Sequence, residues 1–101
     1  MLPERDIEKW LVKQVRRLGG EAYKFVSPGN DGVPDRIVLL PGGEIWFVEL
    51  KREDGVTSSI QEYQLHKIRQ TGAKAVVLHG RFEVFNWIRE REKELREGGD
   101  A

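Results

Sequence analysis

No cysteine occurs in the 101-residue sequence. That excludes a disulfide scaffold and any thiolate metal site, and it is compatible with a reducing compartment. An excess of either charge is missing as well: 17 Lys and Arg face 17 Asp and Glu. A chain without net charge has no bulk attraction for nucleic acid, so any such binding needs a local basic face. No apolar run approaches the roughly 20 residues that span a bilayer, and no membrane partner is expected. The opening Met1-Leu2-Pro3-Glu4-Arg5-Asp6 lacks the basic-then-apolar form of a signal peptide. The two histidines, His66 and His79, have no partner at metal-ligand spacing and read as surface or packing residues. There is no internal repeat and no sign of a second domain. The expectation is one cytoplasmic domain, of a cell or of a phage in its host's cytoplasm.

What is present is a 39% hydrophobic, 34% charged sequence, globular with a heavily charged surface. Folding at this length hides about two-thirds of the unfolded chain's surface. Residues 3–18 read as a helix, with Ile7, Leu11, Val15 and Leu18 forming an apolar stripe. Acids early in it suit the positive helix end, and Gly19-Gly20 stops it. Glu4 projects close to the centre of that stripe and Glu8 lies at its edge. Either Glu4 only favours the dipole or it points at a site.

A short strand over 21–26 and a polar loop over 27–32 lead into Pro34-Asp35 and a strand over 36–40. After the turn signal Pro41-Gly42-Gly43 comes a strand over 44–51, dense in β-branched and aromatic residues. If Leu40 pairs with Glu44 across a three-residue turn, counting back along both strands sets Asp35 opposite Glu49. Side chains alternate, so Glu49 and Lys51 share a face with Ile37, Leu39, Ile45 and Phe47, while Val38, Leu40, Trp46, Val48 and Leu50 share the other. Both faces are apolar, which predicts a central hairpin covered on both sides. A slip of one residue would move Asp35 to the wrong face.

Ser58 with Gln61, and Ser59 with Glu62, both fit a capping box. They open a helix over 58–71 with Ile60, Leu65 and Ile68 and either Tyr63 or Gln64 inward. A strand over 73–78 and a helix over 81–97 follow. From Arg89 that helix reads as a solvated end, frayed from Gly98 to Ala101. Trp10, Trp46 and Trp87 read as core rather than as base-stacking platforms. The order is α-β-β-β-α-β-α.

Two carboxylates facing each other at strand ends repel, so one takes a proton or a cation lies between them. Two carboxylates and a backbone carbonyl suit Mg²⁺ or Mn²⁺. Such an ion neutralises charge building on a phosphate, and Lys51 on the same face can offset that charge too. Together they describe hydrolysis of a phosphodiester. Taken singly, each residue has a plainer role: Asp35 as a turn cap, Glu49 with Lys51 as an ion pair, Gln61 as a helix cap.

Gly32-Val33-Pro34-Asp35-Arg36, Gly42-Gly43, Phe47-Val48-Glu49-Leu50-Lys51 and Ser59-Ile60-Gln61, after Gly19-Gly20 and Tyr23-Lys24-Phe25, resemble the VRR-NUC family of the PD-(D/E)xK nuclease superfamily. The resemblance runs from Glu4 to about Ile88 and lacks no motif residue. It implies an α/β, restriction-endonuclease-like fold: an αβββαβ core, a mixed sheet flanked by helices, and an extra C-terminal helix. It implies a single nuclease domain over 1–101, its core about 4–88. Asp35 and Glu49 would bind Mg²⁺ or Mn²⁺ with the Leu50 carbonyl, and Glu4, or failing it Glu8, would act through a water. Lys51 would be the catalytic lysine, and Gln61 would join the site while still capping its helix. Stand-alone members resemble Holliday-junction resolvases, which implies a homodimer cutting branched DNA, a four-way junction or flap. An apolar patch around the final helix is one place for the second copy. Lys9, Lys13, Arg16, Arg17, Lys24, Arg36 and Arg52 are candidates for a basic face. The alternatives are a junction-binding or assembly module that does not cleave, and a metal-dependent hydrolase of RNA.

Overall fold

A computed structural model describes residues 1–98. Fraying was expected from Gly98 to Ala101; Gly98 is the last residue of the final helix, and residues 99–101 lie outside the described residues. The elements are α1 (Glu4–Arg17), β1 (Glu21–Lys24), β2 (Arg36–Leu40), β3 (Glu44–Lys51), α2 (Ser59–Gln70), β4 (Lys74–His79) and α3 (Gly80–Gly98). The four strands lie side by side in chain order, antiparallel except for the parallel pair β3/β4. This is the mixed, helix-flanked α/β sheet with an added C-terminal helix that the sequence implied.

The hairpin has the expected register: Leu40 pairs with Glu44 and Arg36 with Val48. Its turn closes by a Gly43 N–H donating to the Leu40 carbonyl at 3.1 Å. Gly42 and Gly43 take positive φ values of 87° and 81°, a region that residues with a Cβ seldom enter.

One face of the sheet holds the core. Val38, Leu40, Val48, Leu50 and Leu78 pack there against Ile7, Leu11 and Val15 of α1 and Val84, Trp87 and Ile88 of α3. The other face departs from expectation. Leu39 and Ile45, which pair across the hairpin, are 36% and 49% exposed. The hairpin is central in strand order but is not covered on both sides. Among the described helices, α2 alone serves that face, and its inward pair is Gln64 and Leu65, with Tyr63 outside. Gln64 donates to the Asp31 carbonyl at 3.2 Å. This bond holds the loop over 27–32 against α2, near the close approach of Gly32 to the Ile60 backbone.

The charged half of α3 also differs from expectation. Arg91 is buried, because it lies seven residues after Val84 and so recurs on the same helix face. Its guanidinium sits 4.7 Å from the Trp46 ring and 5.4 Å from Trp87. Its carboxylate partners Glu90 and Glu94 are exposed, and its Nε has no hydrogen bond among the described residues. A partly satisfied buried cation is weak evidence of stability. Arg91→Met is therefore expected to stay within about 1 kcal/mol of the parent, read by urea unfolding.

Candidate active site

The site forms where four element ends meet: the start of β2, the end of β3 and the first turns of α1 and α2. Asp35 stands one residue ahead of β2, and its carbonyl still accepts from the Phe25 N–H at 2.9 Å. Its carboxylate Oδ2 accepts from the Leu50 N–H, also at 2.9 Å. In a strand, the N–H and C=O of one residue face the same edge. The Leu50 carbonyl therefore faces the Asp35 side, beyond Val48, where the β2 ladder ends.

Glu49 is 2% exposed. Its Oε2 accepts from Gln61 Nε2 at 3.0 Å and lies 3.5 Å from Lys51 Nζ. Its other oxygen, Oε1, is buried without a partner among the described residues. Burial, then the charge of Asp35, push the Glu49 carboxyl up to about 7, against the opposing pull of Lys51. Burial also raises Asp35, opposed by the Leu50 N–H, while Glu8 and Glu4 add repulsion. Carboxylate repulsion was expected from the hairpin register; burial outweighs it at both groups.

Gln61 does two things at once. Its Oε1 accepts from the Ser58 N–H at 2.9 Å, and its own N–H donates to Ser58 Oγ at 3.3 Å. This is the capping box, opened at Ser58, and it leaves the amide nitrogen free to reach Glu49. The two roles can be separated. Ser58→Ala is expected to lower stability by about 1 kcal/mol while keeping the Gln61–Glu49 bond. Gln61→Glu keeps the N3 acceptor but loses the donor to Glu49. Its stability should therefore fall more above pH 7 than below, in paired urea titrations.

The two acids of α1 divide. Glu8 Oε2 accepts from Arg36 Nε at 2.7 Å, and Arg36 also donates to the Ala22 carbonyl at 3.1 Å. Glu4 is exposed, and its charge is felt at both Asp35 and Glu49. Arg36 was a candidate for the basic face, but it is half-buried and ties α1 to the sheet. The signal was present, since Arg36 shares its strand face with Val38 and Leu40, the core side. Around it, Lys9, Lys13 and Arg16 form a shallow groove with Val12. Arg17 and Arg52 are instead engaged by Glu92 and Asp54, and Lys24 is exposed on the edge strand β1. One neighbour went unforeseen: His79 of β4 pairs with Lys51 and so stands beside it on the sheet.

No cluster of three His, Cys, Asp or Glu at metal-holding distance occurs among the described residues. The donor set still fits a hard divalent ion such as Mg²⁺, which is held by one or two carboxylates together with substrate phosphate and water. The unpartnered, buried Oε1 of Glu49 is the observation that meets this requirement.

No family model matches the chain. A protein of Acyrthosiphon pisum secondary endosymbiont phage 1, named "Putative nuclease p44", is 46% identical over 78 residues, covering 77% of this chain and 84% of the relative. A solved structure named "VRR_NUC domain" superposes with a TM-score of 0.81 at 32% identity, over 85% of this chain and 94% of that one. A second, "VRR_NUC domain protein", shares the fold at a TM-score of 0.67 and 20% identity, over 89% and 88% of the two chains. With the motif residues gathered at one end of a sheet of this topology, the chain belongs to the VRR-NUC family of PD-(D/E)xK nucleases.

Proposed function

We propose that the protein is a divalent-metal-dependent endonuclease that hydrolyses DNA phosphodiesters, selects branched DNA such as a four-way junction or flap, and acts as a homodimer. The observation that carries the reading is the buried Oε1 of Glu49, without a partner among the described residues, on a carboxyl that feels the charges of both Asp35 and Lys51. The similarity to the phage nuclease supports it. Mg²⁺ or Mn²⁺ would be held by Asp35, Glu49 and the Leu50 carbonyl, with Glu4 acting through water. When bound, the ion supplies Lewis acidity and offsets charge on the phosphate.

The chain's own residues do the rest. Gln61 fixes the rotamer of Glu49 through Oε2 and leaves Oε1 without a protein donor among the described residues, where it would be available to the ion. The Leu50 N–H holds Asp35. Lys51 Nζ, 3.5 Å from Glu49, would offset the charge that builds on a phosphate oxygen during attack. Glu49, pushed up to about 7, must lose its proton to serve as a ligand, so activity should rise with pH through that range.

The open pair Leu39 and Ile45, with Tyr23 58% exposed on the same side of the sheet, offers apolar surface for a second copy. The proposed place is the cytoplasm, of a cell or of a phage's host.

The test is a panel of single-stranded, duplex, flap and four-way DNA, with matching RNA, incubated with Mg²⁺ or Mn²⁺. The parent should cut branched DNA, while Glu49→Ala folds and does not, and Lys51→Ala folds and cuts at least about a hundredfold more slowly. Equal cutting by these variants, or no cutting with either ion, would overturn the assignment. Sedimentation of the parent reads the dimer.

A further inference from the structure

The helical side of the molecule carries a surface that the site itself does not use. Phe82 is 71% exposed and Phe85 43%, both near the start of α3. Phe85 stacks against Trp10 of α1, with ring centroids 6.5 Å apart and planes within 10°. The Arg81 guanidinium lies 5.6 Å from the Trp10 centroid, and that of Arg89 lies 5.7 Å from Phe85. Trp10 is only half-buried, unlike Trp87, which is in the core.

The patch begins at the rim of the site. β4 ends beside Lys51 at His79, and α3 starts at the next residue, Gly80. Gly80 packs against Glu53, just past the end of β3. Arg81 and Phe82 share a cavity wall with Ile7 of α1. Trp10 is six residues along α1 from Glu4, a rise of roughly 9 Å. That is about the length of two or three stacked nucleotides at roughly 3.4 Å each.

We infer that the Trp10–Phe85 stack and its flanking arginines, Arg81 and Arg89, bind a single-stranded nucleic-acid segment leaving the cleavage site. This rests on the nuclease reading and names where the unpaired arm of a branched substrate runs. Bases stack on aromatic faces, and cations interleaved with the rings meet the phosphates. A second copy of the chain is the competing occupant, because aromatic and Arg side chains also mark protein interfaces. The charges oppose it: an isologous contact would set these same guanidiniums against each other, and facing like charges is costly.

The experiment measures fluorescence anisotropy of a short fluorescein-labelled oligothymidylate with the parent, Phe85→Ala and Arg89→Gln, in EDTA so that no cleavage occurs. Phe85→Ala should weaken binding about tenfold, with the salt dependence unchanged. Arg89→Gln should weaken it and flatten the slope of log affinity against log salt by about 0.7. If thermal melting shows that Phe85→Ala has lost its fold, Phe82→Ala, at a more exposed position, takes its place with the same expected direction. Parent-like affinity in the folded variants would overturn the inference, and so would a parent dimer that Phe85→Ala dissociates in sedimentation. Either result leaves the nuclease reading standing, since that is decided by metal-dependent cutting.

Discussion

Lys51→Ala is expected to lower cleavage of branched DNA by about 10²–10³-fold, the scale seen when one preorganised charge-stabilising group is removed. The fold should survive. Removing one partner of a buried ion pair is usually severe because it strands the other charge. Here the stranded group is Glu49, which already sits at about 7 and escapes by taking a proton. The substitution therefore has a second, separable consequence. Lys51 is one of the groups holding the Glu49 carboxyl down; without it the carboxyl rises further, and the residual activity should move to higher pH. Lys51→Arg keeps the positive charge and so should keep the parent's pH profile while losing rate through changed geometry. Single-turnover rates from pH 6 to 9 for the three proteins separate the effects. A Lys51→Ala profile that falls in rate without moving along the pH axis would mean that the lysine does not act on Glu49.

Local chemistry explains which parts of this site were legible in the sequence. The turn Pro41-Gly42-Gly43 sets the hairpin register, because positive φ at two successive glycines admits few alternatives. The register in turn carries Asp35, Glu49 and Lys51 to one place. Gln61 was legible in its own sequence context as a cap; its place beside Glu49 followed only from the resemblance, and the Ser58 pairing leaves its amide nitrogen to donate to Glu49. Two features were hidden, both resting on one contact distant in sequence. The Arg36–Glu8 pair joins residues 28 apart in the chain, and only the packing of α1 on the sheet brings them together. The same pair separates Glu8, whose carboxylate Arg36 engages, from the exposed Glu4.

The apolar runs of β2 and β3 predicted two covered faces, and only one is. Leu39 and Ile45 look like core residues because β-propensity and burial share the same residue types. A strand's composition does not say whether a helix will follow to cover it. On α3 the aromatic residues crowd the helix start, and their presence alone does not say which of them turn inward. The buried series is Val84, Trp87, Ile88 and Arg91, which leaves Phe82 and Phe85 outside. An exposed aromatic beside arginines reads in one dimension as an ordinary helix start.

Glu49 should make the free protein lose stability as pH rises. A carboxyl whose folded value stands above its unfolded one binds its proton more tightly in the native state, so stability falls wherever the unfolded chain has released a proton that the native state still holds. The window runs from the ordinary 4.5 to about 7, and a shift of this size corresponds to about 3 kcal/mol. The raised Asp35 carboxyl adds in the same direction at the lower end. Urea unfolding in EDTA at pH 5 and pH 7.5 measures the loss, and Glu49→Gln, which cannot ionise, should remove most of it. The same linkage predicts the response to metal. A cation that takes Oε1 must displace the proton, so Mn²⁺ should restore stability at pH 7.5 and do little at pH 5. At a hundredfold excess over its dissociation constant it restores about 2.7 kcal/mol. Glu49→Gln should show neither the pH loss nor the rescue. A pH-dependent loss that Mn²⁺ leaves untouched would place the strain at Glu49 but take the metal away from it. A parent whose stability is flat from pH 5 to 7.5 would mean that Glu49 ionises freely, and that its buried oxygen is not held in reserve for a cation.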